Sequence, residues 1–368
     1  MIIGVPKEIK DQENRVAVIP GAVAELAKHN EVYIEKGAGL GSGIEDSDYI
    51  EAGAKILDSA KEVWEKADFI YKVKEPLEEE YQYLREGQIL YTYLHLASNE
   101  KLAKELVDKK VTAIGYETLN LDGKLPLLRP MSEIAGRMAV QEGARYLTSP
   151  AGGRGILLQG VPGVRPAHVV IVGAGVVGTG ATRIAVGMGA RVTVLDVNID
   201  ALTRLTNIFQ DKIETLYSNP LNIEESVKTA DLVISTVLIP GRKAPQLIKE
   251  EYVKEMKEGS VIVDVAIDQG GSTDLTKNHP TSHTDPIFTK YGVTHYAVAN
   301  IPGAVAMTST YALSNATTRY AKAVAEMGLK EASEKFPEIK SGINTFNGYI
   351  AYEPVAEDLD MEYKEAAL

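Results

Sequence analysis

The sequence predicts an α/β fold of two doubly wound domains with mainly parallel sheets, one domain inserted into the other. Three observations lead there. At 368 residues the chain exceeds what one ordinary hydrophobic core organises, so two domains of typical size are expected. Short apolar runs alternate with amphipathic helical patterns along most of its length, the signature of parallel sheets with crossover helices. One such unit carries a glycine pattern that is weak alone but is flanked by a strand, a helix and a later acid, the context of a dinucleotide-binding corner.

In chain order, residues 2–5, 32–35, 69–73, 89–93 and 111–115 read as strands, with helical patterns such as 20–29 and 99–109 between them. A long helical stretch is expected at 132–148, with Ser132 as its N-cap and Glu133 in its first turn. The Gly-rich run at 150–155 then reads as a loop. A second strand series follows at 169–172, 192–196, 213–217, 232–236, 261–265 and 294–297, enough for a full doubly wound sheet. Residues 304–327 are rich in small side chains, helical in pattern and long enough to return to the first domain. The expected division is therefore 1–128 and 307–368 for a discontinuous domain, with 129–306 inserted.

The glycine pattern is Val169-Val-Ile-Val-Gly173-Ala-Gly175-Val-Val-Gly178, followed by Asp196 at the end of the next strand. Gly173 permits the tight turn, Gly175 lets the backbone approach a pyrophosphate, and Gly178 lets the helix pack on the strand. A pyrophosphate is then met by the unpaired N–H groups at the helix start near Val176. Asp196 suits the two ribose hydroxyls of NAD and repels a 2′-phosphate, and no Arg follows directly in Val197-Asn198-Ile199. The inserted domain is thus expected to be a Rossmann domain that binds NAD rather than NADP.

Composition narrows the function classes. A net charge of −12 argues against a nucleic-acid partner, since a phosphate backbone needs a positive surface to meet it. With no cysteine, neither a thiolate nucleophile nor a Cys-based metal site is possible. No run approaches the ~20 apolar residues of a membrane span, and charge at Lys7 and Glu8 interrupts any signal-peptide pattern, so a cytoplasmic protein without a membrane partner is expected. The pair His279 and His283 has an i, i+4 gap but lies in Pro- and Thr-rich sequence that does not form a helix; no metal is expected. The run Glu78-Glu-Glu80 reads as a solvated face.

Ligands of doubly wound sheets gather at the carboxyl ends of strands, which directs attention to Lys74, His95 and Asp268, and to Arg15 in the N-terminal segment. Each also has a plain structural reading. Lys74 follows the strand 69–73, with Lys72 expected on the same side, and suits a surface lysine. His95 ends an apolar, aromatic run in which an imidazole is partly desolvated yet titratable, and equally suits a hydrogen-bonded core histidine. Asp268 lies beside Gly270-Gly271 and suits a turn-initiating Asp. Arg15 suits a solvated loop charge, although its planar fork is the preferred partner of a substrate carboxylate.

These residues, beside the dinucleotide pattern, give a chain that resembles the alanine dehydrogenases, a family related to the nucleotide-binding domain of proton-pumping transhydrogenases. The matching runs are Gly4-Val-Pro-Lys-Glu8 with Glu13-Asn-Arg15, Lys72-Val-Lys-Glu-Pro76, Tyr93-Leu-His-Leu-Ala97, Arg129-Pro-Met-Ser-Glu-Ile-Ala-Gly136, 171–196, Asp264-Val-Ala-Ile-Asp-Gln-Gly-Gly271 and Val298-Ala-Asn-Ile-Pro302. The resemblance implies NAD-dependent interconversion of L-alanine with pyruvate and ammonium, by a homohexamer. By matching motif, Arg15 would hold the carboxylate, Lys74 would hydrogen-bond the carbonyl or imine position, and His95 would be the general acid/base. Asp268 would orient or activate water or ammonia, and Asn300 would contact substrate. Ser132, Val177, Leu238, Ile267, Val298 and Ile301 correspond to positions around the cofactor. Ile19, Gln12 and Val177 depart from the usual Ser or Thr, Asn and Ala, and 272–285 differs in length and content; these bear on cofactor fit more than on reaction type. A transhydrogenase-type NAD-binding subunit is the alternative, and His95 disfavours it. Secondary-amine dehydrogenases need an extra basic cluster for a second carboxylate, which this chain does not show.

Overall fold

The computed structural model describes residues 1–237 and 244–368, so Leu238 lies outside the described residues. The chain forms two compact units, one of Met1–Met131 with Val305–Leu368, the other of Ser132–Ala304.

The first unit opens with six parallel strands, β1 (Ile2–Val5), β2 (Glu31–Glu35), β3 (Lys55–Leu57), β4 (Phe69–Tyr71), β5 (Ile89–Thr92) and β6 (Thr112–Gly115). They lie in the order β3-β2-β1-β4-β5-β6, with every neighbouring pair parallel. The order reverses between β1 and β4, which makes their carboxyl ends the topological switch point where such sheets bind ligands. Buried side chains cover both faces of β4, β5 and β6, as expected when helices pack on either side of a parallel sheet. Asn99 caps the helix Glu100–Asp108 by accepting the Leu102 N–H at 3.1 Å.

The helix Arg129–Tyr146 begins earlier than expected. Pro130 is tolerated in a first turn, where its missing N–H has no intrahelical partner, and helix formation starts at Arg129. Ser132 is therefore a helical residue and not the N-cap.

The second unit holds β7 (His168–Val172), β8 (Arg191–Asp196), β9 (Ile213–Tyr217), β10 (Leu232–Ser235), β11 (Val261–Asp264), β12 (Ile287–Lys290) and β13 (Val293–Tyr296). Its order is β9-β8-β7-β10-β11-β13-β12, with β12 antiparallel at the edge and the others parallel. The same reversal recurs between β7 and β10. All of β7 and β10 is buried, and the glycine turn leaves the carboxyl end of β7.

The helix Ala306–Lys335 returns the chain to the first unit and breaks at Gly328, where φ is 80° and ψ 163°. Thr310, Leu313, Ser314, Thr317, Tyr320, Ala321 and Val324 form its buried stripe at helical spacing. The hydroxyls on that stripe accept backbone donors that a purely apolar face would orphan: Val16 N–H reaches Thr310 Oγ1 at 3.0 Å and Ile19 N–H reaches Ser314 Oγ at 3.1 Å. Ile19, where the resembled family has Ser or Thr, gives the helix Pro20–Leu26 no side-chain cap. Gln12 occupies φ 57°, a left-handed backbone that Asn tolerates better. Finally β14 (Ile343–Phe346) and β15 (Tyr349–Ile350) extend the first sheet, β14 pairing antiparallel with β6.

Candidate active site

In the second unit the glycine turn is fixed by close approaches. Gly173 has φ 109°, and a Cβ there would stand 2.6 Å from Thr236 Oγ1. That hydroxyl is itself committed, donating to the carbonyls of Val172 and Gly173 at 3.0 and 3.1 Å. A Cβ on Gly178 would lie 1.8 Å from the Gly173 carbonyl oxygen, so any side chain there expels the helix Val176–Gly187 from its strand. Around Gly175, by contrast, a Cβ would meet nothing within 4 Å. That open space above the N-terminus of a helix without a side-chain cap fits a dinucleotide pyrophosphate. We expect Gly178→Ala to abolish NADH binding measured by fluorescence titration; wild-type affinity in that variant contradicts the packing described.

Asp196 Oδ2 accepts the Ala174 N–H at 2.5 Å and Oδ1 the Asn198 N–H at 2.8 Å, so the acid expected from the sequence to meet a ribose braces the turn. The carbonyl of the same residue, in the next peptide, is held by Arg204, whose guanidinium donates to the Ala174 oxygen at 2.8 Å. The sequence shows no Arg directly after Asp196, and this one lies in the second turn of the helix Ile199–Phe209. Sequence reasoning missed the packing of Gly136, where a Cβ would stand 2.0 Å from the Val177 carbonyl oxygen. Val177 itself is buried, whereas Val176 is the exposed residue of the first turn. Ile267, Val298 and Ile301 are also buried.

Asp268 lies in the 3₁₀ turn Val265–Gln269 after β11. The turn is anchored from below by buried Asp264, which accepts the N–H groups of Ala266 and Ser272 at 3.0 and 2.8 Å and the Ser272 hydroxyl at 2.8 Å. Asp268 is exposed, and its carboxylate accepts the Asn300 N–H at 3.3 and 3.4 Å. Asn300 takes φ 60°, and its carbonyl lies 3.2 Å from His283 Nε2. The structure thus pairs Asp268 with Asn300 within one unit.

In the first unit Arg15, Lys74 and His95 follow β1, β4 and β5, the strands at and next to the switch point. The solvated-loop reading of Arg15 fails, because the residue is 2% exposed. Glu13 holds its guanidinium bidentately, Nε to Oε1 at 2.7 Å and Nη2 to Oε2 at 2.5 Å, while Nη1 meets Met131 Sδ at 3.2 Å. Burial opposes the charge, yet Glu13 more than compensates and keeps Arg15 firmly protonated.

Lys72 does not share the setting of Lys74. It is fully buried between Glu80 at 2.8 Å and Glu8 at 3.3 Å, so Glu80 is no solvated face either. Its apolar flanks hid this ion triad in the sequence; only the parallel neighbour β1 brings Glu8 to it. Burial pushes the Glu8 carboxyl up to about 7, against the pull of Lys72 and with Glu80 adding to the rise. Glu8 Oε1 accepts both the Val73 and Lys74 N–H groups, at 2.7 and 3.3 Å, and so fixes the backbone that carries Lys74. Because the folded value lies above the ordinary 4.5, the native state retains a proton that the unfolded chain releases. The Glu8 contribution to stability is thus full below about pH 4.5 and is lost as pH rises to about 7. Denaturant titrations should show wild type losing stability relative to Glu8→Gln across that window and not above it.

His95 departs from the partly desolvated core setting expected. Its side chain is 42% exposed, and its backbone takes the left-handed values φ 50°, ψ 36°. Glu117 holds it there, its carboxylate accepting the His95 N–H at 2.6 Å and the Leu94 N–H at 3.0 Å. The Tyr93 ring lies 5.9 Å from the imidazole, and Glu75 Oε2 stands 3.5 Å from His95 Nδ1. Core packing does not account for this left-handed, exposed histidine at a strand end.

Two doubly wound units, one with a dinucleotide turn and the other with an arginine, a lysine and a histidine in the segments that follow the strands at and next to its switch point, define an α/β oxidoreductase of the nicotinamide-dinucleotide class. The chain belongs to the alanine dehydrogenase/PNT family: the model of that family's N-terminal domain matches residues 4–135 and that of its C-terminal domain residues 139–353. It is 59% identical to a Methanococcus maripaludis protein named alanine dehydrogenase, over 100% of this chain and 98% of that one. A Bacillus subtilis protein of the same name is 56% identical, over 100% and 97%. Among solved structures, an L-alanine dehydrogenase superposes with a TM-score of 0.94 at 48% identity, covering 98% of this chain and 99% of that one. A transhydrogenase from Sinorhizobium meliloti is a more distant match, with a TM-score of 0.82 at 25% identity, covering 96% and 99%.

Proposed function

We propose that this chain catalyses the NAD-dependent, reversible oxidative deamination of L-alanine to pyruvate and ammonia. The observation that supports the reading is the presence of Arg15, Lys74 and His95 in the segments that follow β1, β4 and β5, in a chain so similar over its whole length to proteins named alanine dehydrogenase.

Gly173, Gly175, Gly178 and Asp196 would hold NAD, which when bound supplies the acceptor for the hydride leaving the substrate Cα. Arg15, kept charged and fixed in orientation by Glu13, grips the carboxylate of alanine or pyruvate through charge-assisted hydrogen bonds. Lys74 donates to the carbonyl or imine position and stabilises negative charge on it. His95 takes a proton from water as the carbinolamine C–O bond forms and delivers one to the departing ammonia, a general-base and then general-acid role. Asp268 orients the water or ammonia, and Asn300, tied to it through its N–H, contacts substrate. Ser132, Val177, Ile267, Val298 and Ile301 would complete the surroundings of the cofactor.

NADH oxidation by the purified chain with pyruvate and ammonium, and NAD reduction with L-alanine, test the reading; failure in both directions rejects it. A panel of amino acids and keto acids sets the side-chain preference, since one methylene in an apolar pocket changes it only ~10–200-fold.

The assembly is proposed to be a cytoplasmic homohexamer. Leu40, Ile50, Met307 and Tyr311 of the first unit are apolar or aromatic and exposed, surface that a partner copy would cover. Among the described residues no helix is long and apolar enough to cross a membrane. Light scattering should return six times 39.9 kDa, and a monomer mass contradicts the proposal.

A further inference from the structure

We propose that Glu75, with Lys10 behind it, is a positioning residue for the chemistry: it holds His95 by Nδ1 and leaves Nε2 as the nitrogen that exchanges protons with substrate. The inference rests on the role proposed above for His95, and adds a partner that the functional reading did not use.

Three observations meet at this carboxylate. Glu75 follows β4 and His95 follows β5, so the parallel pairing of these strands brings the two side chains to one end of the sheet. Glu75 Oε1 is committed to Lys10 Nζ at 2.5 Å, an ion pair that clamps the carboxylate from the β1 side. Glu75 Oε2 is buried, accepts no hydrogen bond, and stands 3.5 Å from His95 Nδ1. A buried carboxylate oxygen without a donor is costly, and the approach of one imidazole N–H removes that cost. The arrangement therefore selects the ring orientation and tautomer with hydrogen on Nδ1, as a carboxylate does for histidines in hydrolytic and metal sites.

The surrounding charges agree. Burial raises the Glu75 carboxyl, but His95, Lys74 and Lys10 together hold it well below the usual carboxylate range, so it is ionised wherever the enzyme works. Facing the imidazole are Glu75 from the segment after β4, Tyr93 from its own segment, and Glu117 after β6, which binds the His95 N–H and not the ring. Lys10, from the loop after β1, acts through Glu75. Glu75 thus supplies the negative charge nearest Nδ1, and it stabilises the imidazolium form that arises when Nε2 takes up a proton.

The test uses the full chain and reads kcat for alanine oxidation against pH. Oxidation needs the basic imidazole, so rate is lost on the acid side of the profile. In Glu75→Gln that acid limb should move to lower pH, because imidazolium loses its neighbouring charge. kcat should fall at least ~10-fold while the KM for alanine stays within about threefold. Glu75→Asp, which keeps the charge, should leave the limb in place and recover part of kcat. A Gln variant with wild-type kcat and an unmoved limb overturns the proposal. Should that variant not fold, Lys10→Met decides: its side chain is 40% exposed, and removing its charge should move the limb a few tenths of a unit to higher pH, whereas no movement overturns the proposal. His95→Asn measured alongside separates the two claims. If it is inactive while Glu75→Gln behaves as wild type, only the role of Glu75 fails; if it is fully active, the role of His95 fails.

Discussion

Replacing His95 by alanine should lower turnover at least ~100-fold while NADH binding persists, the scale of a general acid/base contribution. The geometry makes this a clean measurement. The side chain is 42% exposed, so truncation opens no core cavity, and the dinucleotide turn belongs to the other unit. Asn tolerates the left-handed backbone that His95 adopts, so His95→Asn should fold with the same backbone and lose turnover to the same extent. Turnover within threefold of wild type in both variants would remove His95 from the chemistry.

Arg15→Met should act on two properties at once. It leaves the Glu13 carboxylate buried without its partner, which costs about 3–5 kcal/mol and should appear as a lowered denaturation midpoint. It also removes the fork proposed to grip the substrate carboxylate, so KM for pyruvate should rise by at least ~100-fold if two charge-assisted hydrogen bonds are lost. The double variant Glu13→Leu with Arg15→Met separates the effects. Apolar side chains of similar volume can replace a buried pair at little cost, so stability should return while KM stays high. Recovery of both would mean that Arg15 is structural only.

Much of the architecture was legible because parallel strands buried on both faces announce themselves as apolar runs, as in Val169-Val-Ile-Val172. The strands that escaped reading are those for which that reason fails. β3 is three residues long and partly exposed. β14 reads Ile343-Asn-Thr-Phe346, and its buried polar groups are satisfied by partners remote in sequence: Asn344 donates to Thr118 Oγ1 at 2.6 Å and Thr345 to the Val111 carbonyl at 2.8 Å. β12 is a half-exposed antiparallel edge.

In the site, strand ends pointed to Lys74, His95 and Asp268, since the carboxyl-end rule depends only on locating strands. Their supports were hidden. Glu13, Glu75 and Glu117 are acids of ordinary appearance in sequence, and only the fold buries the first two or turns the third onto the His95 backbone. The same holds for Lys72, whose partners Glu8 and Glu80 come from separate elements.

The pairing of β14 with β6 joins Thr345 to Ala113 across the whole inserted unit. During synthesis the nascent chain therefore presents β6 as an open border while the second unit emerges and completes itself. Only when the last segment leaves the ribosome can that border be sealed, so premature termination in the C-terminal region should yield a finished nucleotide module tethered to an adhesive, unfinished sheet.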